Sequence, residues 1–219
     1  MGQLQGRRWA AGLALVVAAG RPAVPPVAPP TRIADLVGPP PGMPTQPTSV
    51  PAATLREGTL SFDGHATTGD FVGRTDRVTG AVLVSAGYDA VRGWVEAPVA
   101  TLRTGNGLRD RDLRKTMQVE TYPAMRYDLS GATVQAETGD SARLLLHGTL
   151  RLHGVSRPVD VPVTLTRSGG ETARVAHVVG SFPVNVTDYE VRGLTKAFGM
   201  LRMQERIEVH LDLVFATAP

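Results

Sequence analysis

The residues with the densest potential for chemistry lie in 104–117, TGNGLRDRDLRKTM. Gly105-Asn106-Gly107 could open a phosphate-gripping loop. That use needs a preceding strand, a following helix and a downstream acid, and the chain supplies no such unit. Asp110 and Asp112 could form a catalytic carboxylate pair, which requires a shared concave site and a raised pKa on one of them. Two residues apart on a helix, they do not face each other. The plainer account is a short helix over 107–117. Asn106 or Thr104 is placed to cap it, and Asp110 stands four residues ahead of Arg114, the favourable order. Leu113 and Met117, also four apart, would rest on the rest of the domain while the charges face water.

The remaining chemistry-bearing residues are dispersed. His65, His147, His153, His177 and His210 form no H-E-x-x-H or other close pair that would hold a metal, so surface positions are expected for them. No G-x-S-x-G elbow is present for a serine hydrolase. Without cysteine the chain has no disulfide, thiol nucleophile or cysteine-based metal site. No cofactor motif is recognisable, and none is expected.

What must position these residues is a domain preceded by two atypical segments. In MGQLQGRRWAAGLALVVAAG, Arg7 and Arg8 precede a short apolar run and the small residues Ala18-Ala19-Gly20, the pattern of a secretory signal peptide over 1–20. An uncleaved anchor is the alternative, but the run falls short of the roughly 20 apolar residues of a span. Residues 21–51 hold 11 of the 17 prolines. Proline fixes φ and lacks an amide donor, so this stretch reads as a flexible, extended linker. The domain is then 52–219. Four basic residues and one acidic residue fall in 1–50, leaving 19 of each sign in 51–219. The pI of about 9.7 therefore comes from the leader, and a nucleic-acid partner, which needs a basic face, is not expected.

Within 52–219 the dominant pattern is alternation. Leu144, Leu146, Leu150 and Leu152 share one parity against His147, Thr149 and Arg151. Val159, Val161, Val163 and Leu165 line up, as do Ile207, Val209, Leu211, Leu213 and Phe215 against Glu208, His210 and Asp212. Period two with one wet and one dry face marks antiparallel sheet. Further strands are expected over 57–63, 67–74, 78–86, 90–103, 123–131 and 173–188. Eight or nine such strands with one helix imply a closed barrel or a sandwich.

Several segments in order carry a more specific likeness: T-G-N then R-D-x-x-L-R in 104–114, Tyr122-Pro123 leading into a strand, LHGTLRLHGVSRPVDVPVTL, VGSFPVNVTDYEV, and a closing alternating strand. Together they resemble the YceI-like family of exported lipid-binding proteins over roughly 55–217. The chain departs from the usual pattern at Val186, where the family often carries Arg, and at Glu190, where Gly commonly follows the aromatic residue. The resemblance implies an all-β fold, an antiparallel eight-stranded lipocalin-like barrel with the 107–117 helix inserted between strands. It implies a periplasmic or secreted, non-catalytic protein that holds a polyisoprenoid or similar long-chain lipid. The expected partner is a long-chain isoprenoid or fatty lipid; transient membrane contact and a homodimer are left open.

A barrel of eight strands is just wide enough to hold one small ligand, or to be filled by its own side chains. In the first case the wall residues would be Leu144, Leu146, Leu150, Leu152, Val161, Val163, Phe182, Val184, Val209, Leu211 and Leu213, joined by Trp94, Met125 and Tyr127. Leu113 and Met117 would plug one end. In the second case the same residues form a dry core and the domain is a structural or interaction module. A secreted hydrolase or lyase would instead need polar groups converging in the barrel mouth.

Overall fold

The computed structural model describes residues 53–67, 69–83, 88–169, 174–192, 195–196 and 201–217. The expected signal peptide and proline-rich linker lie outside them. The described chain forms strands β1 (Ala53–Gly64), β2 (Phe71–Thr75), β3 (Thr79–Leu83), β4 (Arg92–Pro98), β5 (Ala124–Thr138), β6 (Ser141–Leu152), β7 (Val155–Gly169), β8 (Arg174–Asn185), β9 (Thr195–Lys196), β10 (Leu201–Arg202) and β11 (Arg206–Ala216), with helix α1 (Gly107–Thr116) between β4 and β5.

The main sheet closes on itself. Its antiparallel neighbours run β1–β11–β8–β7–β6–β5–β4–β3 and back to β1. β2 pairs with the far half of β1, Leu60–Gly64, and β3 with its first residues, Ala53 and Thr54. The two are halves of one wall interrupted at 76–78, so the closed barrel has eight walls. β9 and β10 form a separate small hairpin.

Several strand ends differ from the alternation reading, each for a local reason. The 90–103 segment is a strand only to Pro98; Thr101 Oγ1 then donates to Pro98 O at 2.7 Å and closes a 3₁₀ turn over Val99–Thr101. The 173–188 segment leaves the sheet at Asn185, whose Oδ1 accepts from Thr187 N at 3.3 Å and starts a second 3₁₀ turn, Val186–Tyr189. β5 runs on to Thr138 through register shifts at Ser130 and Gln135. An extra residue in one strand moves the following side chains to the other face. Inward residues accordingly change from the odd set Met125, Tyr127 and Leu129 to Ala132, which pairs with inward Leu146. A shift at Arg56 does the same in β1, turning Leu60 and Phe62 inward.

α1 forms where the period of two fails. Asn106 Oδ1 accepts from the amides of Leu108 and Arg109 at 3.0 and 3.2 Å, capping two orphan donors. Leu113 and Met117 turn towards the barrel, and Met117 is buried. Asp110 corrects the picture of a wholly solvated charged face. It is buried, and its Oδ1 accepts from both Thr104 N at 2.8 Å and Thr104 Oγ1 at 2.7 Å, folding the approach segment against the helix.

The Thr104 hydroxyl, opposed by burial and aided by the Thr104 amide, Arg103 and Arg114, holds the Asp110 carboxyl below its usual range. A depressed folded-state pKa contributes stability above the unfolded value near 3.9, lost as pH falls through the folded one. Asp110→Asn should therefore lower stability more at pH 7 than at pH 3. Urea unfolding of parent and variant at the two pH values checks this; an equal loss at both would contradict it.

Candidate functional site

The barrel encloses a cavity of about 690 Å³, bordered almost entirely by apolar side chains. That lies within the range of roughly 300–1,000 Å³ typical of small-molecule sites. Around it the structure brings together Leu144, Leu146, Leu150 and Leu152 from β6, Val161 and Val163 from β7, and Phe182 and Val184 from β8. Val209, Leu211 and Leu213 from β11 and Met125 and Tyr127 from β5 complete this set, with Leu113 and Met117 from the helical segment over one end.

Burial along these strands locates the hollow. In β6, Leu144 and Leu152 are 2% and 9% exposed, whereas Leu146 and Leu150 between them are only half-buried. In β11, Ile207 and Leu213 are buried, whereas the intervening Val209 and Leu211 are half-buried. All eight share the inward parity, so on these strands the open space lies in the middle of the tube.

Trp94 also borders the cavity, but its strand pairing sets it with Ala81 and Asp128, on the face opposite Val95 and Tyr127. Its ring lies 4.7 Å from the Arg126 guanidinium carbon. Arg126 in turn holds Asp128 at 2.7 Å and Glu96 at 3.4 Å, so the indole belongs to a charged cluster on the outer face.

Phe62, Phe71, Leu60, Ile207, Phe215, Val186 and Val191 line the cavity as well, outside the set expected from the sequence. Ile207 and Phe215 carried the parity signal. Phe62 and Leu60 alternate with Ser61 and Asp63, a signal masked by the Arg56 bulge. Val186, where the related pattern often has Arg, is a buried apolar lining residue instead.

The Tyr127 phenol, which faces the cavity, has its proton engaged. Tyr127 Oη lies 3.0 Å from Val159 O and 3.3 Å from Leu146 O and donates to these carbonyls. Burial, aided by Asp160, pushes its pKa well above the ordinary value, so it stays protonated. Its ring sits over Gly148, where any Cβ would collide with it. At the end away from α1, Tyr88 borders the cavity, and Arg167 Nη1 donates to its hydroxyl at 2.9 Å while Nη2 donates to Glu137 at 2.5 Å.

The histidines divide into two kinds. Four pair with carboxylates: His65–Asp70 at 2.9 Å, His147–Asp160 at 2.9 Å, His177–Asp212 at 2.7 Å and His210–Asp63 at 3.0 Å, all with partly exposed side chains. His153 departs from the surface expectation. It is 6% exposed, with Nδ1 3.1 Å from Tyr189 O, Nε2 3.1 Å from Gln118 Nε2, and its ring 4.5 Å from that of Tyr122. Facing a carbonyl, Nδ1 can only donate, so both ring nitrogens are engaged, one with backbone and one with the Gln118 side chain. Gln118, His153 and Glu190, next to Tyr189, all have positive φ, so three strained backbone positions meet in this knot beside the end of α1. Among the described residues no group of three His, Asp or Glu is arranged to hold a metal ion.

Comparison with known proteins agrees with this architecture. BcnA of Burkholderia cenocepacia superposes with a TM-score of 0.56 at 17% identity, covering 72% of this chain and 95% of its own. A polyisoprenoid binding domain from Saccharophagus degradans, implicated in plant cell wall breakdown, gives 0.60 at 17% identity, covering 78% and 100%. The Campylobacter jejuni YCEI protein gives 0.54 at 14% identity, covering 67% and 85%. At such identities the likeness concerns the fold. None of the curated proteins matches the chain significantly. The model of the YceI-like domain matches residues 54–215, nearly the whole barrel, and the chain thus belongs to the YceI-like domain family.

Proposed function

We propose that this protein is an exported, non-catalytic carrier that takes a long-chain isoprenoid or similar amphiphilic lipid into its barrel and shields it from water. The observation that carries the reading is the continuous apolar cavity of about 690 Å³. A module with a filled core would have no such space. The polyisoprenoid binding domain from Saccharophagus degradans, which shares the fold, supports the lipid class. The leader-like residues 1–20 support export.

The energetics favour a plain tube. Burying ten methylenes is worth about 8 kcal/mol, and this gross gain is reduced by the cost of ordering the ligand. Affinity should therefore rise with chain length. Titrating delipidated full-length protein with farnesol, geranylgeraniol and fatty acids of increasing length should give saturable binding of one chain per protein, tightening with each added unit. An absence of saturable binding by any of them would refute the reading.

A further inference from the structure

We propose that the cavity mouth is a headgroup site for an anionic amphiphile, with Arg109 as the cation that holds the head. This deepens the lipid-carrier reading and rests on it. Among the described residues, three charged ones border the cavity: Arg109, Asp112 and Arg126. Arg126 is already neutralised by Asp128 and Glu96. Asp112 is engaged in an interaction of its own. Arg109 differs from both. Its guanidinium carbon lies 4.1 Å from the centroid of the Phe71 ring, and among the described residues it makes no ion pair. Asp110, next to it in sequence, is turned away to Thr104.

A cation stacked on a ring at the edge of an apolar tube lacks a counter-charge. A guanidinium over a ring keeps N–H donors that the ring does not use, and these can grip a carboxylate or phosphate with charge-assisted hydrogen bonds. Phe71 continues the path inward: its ring meets Phe62 edge-on at 6.1 Å, and Phe62 is 8% exposed in the core. A head on Arg109 would therefore place the first carbons of its chain along Phe71 and Phe62. α1 carries Arg109, Arg111, Arg114 and Lys115 against Asp110 and Asp112, an excess of positive charge that favours an anion at the mouth. The shared ligand chemistry is a compact anionic head, carboxylate or phosphate monoester, on a long apolar chain.

The test compares chains that differ only in the head. Delipidated full-length protein is titrated with hexadecanoic acid against hexadecanol, and with farnesyl monophosphate against farnesol. Parent, Arg109→Gln and Arg109→Lys proteins are used, at low salt and pH 8. The parent should prefer at least one anion over its alcohol by about tenfold, as a charge-assisted contact requires. Which pair shows the preference distinguishes carboxylate from phosphate. Arg109→Gln should abolish the preference, bringing the anion down to the level of its alcohol, and Arg109→Lys should keep part of it; a thermal unfolding midpoint equal to the parent's shows that both variants are folded. Equal binding of acid and alcohol by the parent, or a preference that survives in Arg109→Gln, overturns the headgroup site while the carrier reading stands. If neither head type binds, both fail.

Discussion

Full-length protein carrying Leu146→Trp and Leu211→Trp should fold as the parent does and lose uptake of a long-chain lipid, with affinity falling by at least tenfold, about 1.4 kcal/mol. Both residues face inward, from β6 and β11, and both are half-buried because their exposed side is the hollow itself. Enlarging a side chain in a packed core forces strained rotamers and costs about 1–3 kcal/mol. Here the added rings enter existing space, so thermal stability should hold or rise. The control is Val179→Trp, at an exposed β8 position 42% accessible to solvent, which should change neither property. Titration with farnesol or hexadecanoic acid, alongside thermal unfolding, checks the pair. Unchanged binding in the double variant would mean that the ligand does not occupy this space.

His153→Ala should destabilise the domain by about 2–4 kcal/mol, a large part of the 5–15 kcal/mol typical of a domain. The variant leaves the buried Tyr189 carbonyl without its donor, at about 1–3 kcal/mol, and takes a partner from the exposed Gln118 amide, which water can replace. It also removes the ring contact with Tyr122, worth about 0.5–1.5 kcal/mol. Alanine inherits the positive φ of 51° with none of these contacts in return. Asn tolerates that conformation and can donate to the carbonyl, so His153→Asn should lose less. His147→Ala removes an exposed pair with Asp160 and an exposed hydrogen bond with Thr133 Oγ1, and should cost about 1 kcal/mol or less. Denaturant unfolding separates the three. A loss at His153 no greater than at His147 would show that the buried knot does not hold this end of the barrel. Because Gln118 lies just beyond α1, the same variant should also raise hydrogen exchange in 113–118.

The contrast between these two histidines shows how far the sequence is legible. Where a strand runs straight, period two is sufficient: the inward sets of β6, β7 and β11 follow directly from alternation, and the failure of that period marks α1. Bulges are where the pattern stops being readable. One extra residue at Arg56 or Ser130 exchanges the two faces, and nothing in the local composition announces it. For that reason Phe62 was not among the expected lining residues. Asp110 and His153 illustrate a second limit. Both look like solvent-facing polar residues, and both are buried because distant or irregular backbone supplies partners, Thr104 for one and Tyr189 with Gln118 for the other. The strand parity of Trp94 relative to Val95 depended on the β3–β4–β5 register, which alternation in one strand does not contain. The short hairpin of β9 and β10 gives too few residues for any period to show.

The most direct test of the carrier account is mass spectrometry of the lipid extracted from the full-length protein purified from its native host without detergent. The account predicts close to one long-chain isoprenoid or fatty lipid per protein, released on denaturation and absent from a Leu146→Trp, Leu211→Trp preparation made in parallel. Recovery of no long-chain lipid from the parent, together with an interior filled by its own side chains, would contradict it.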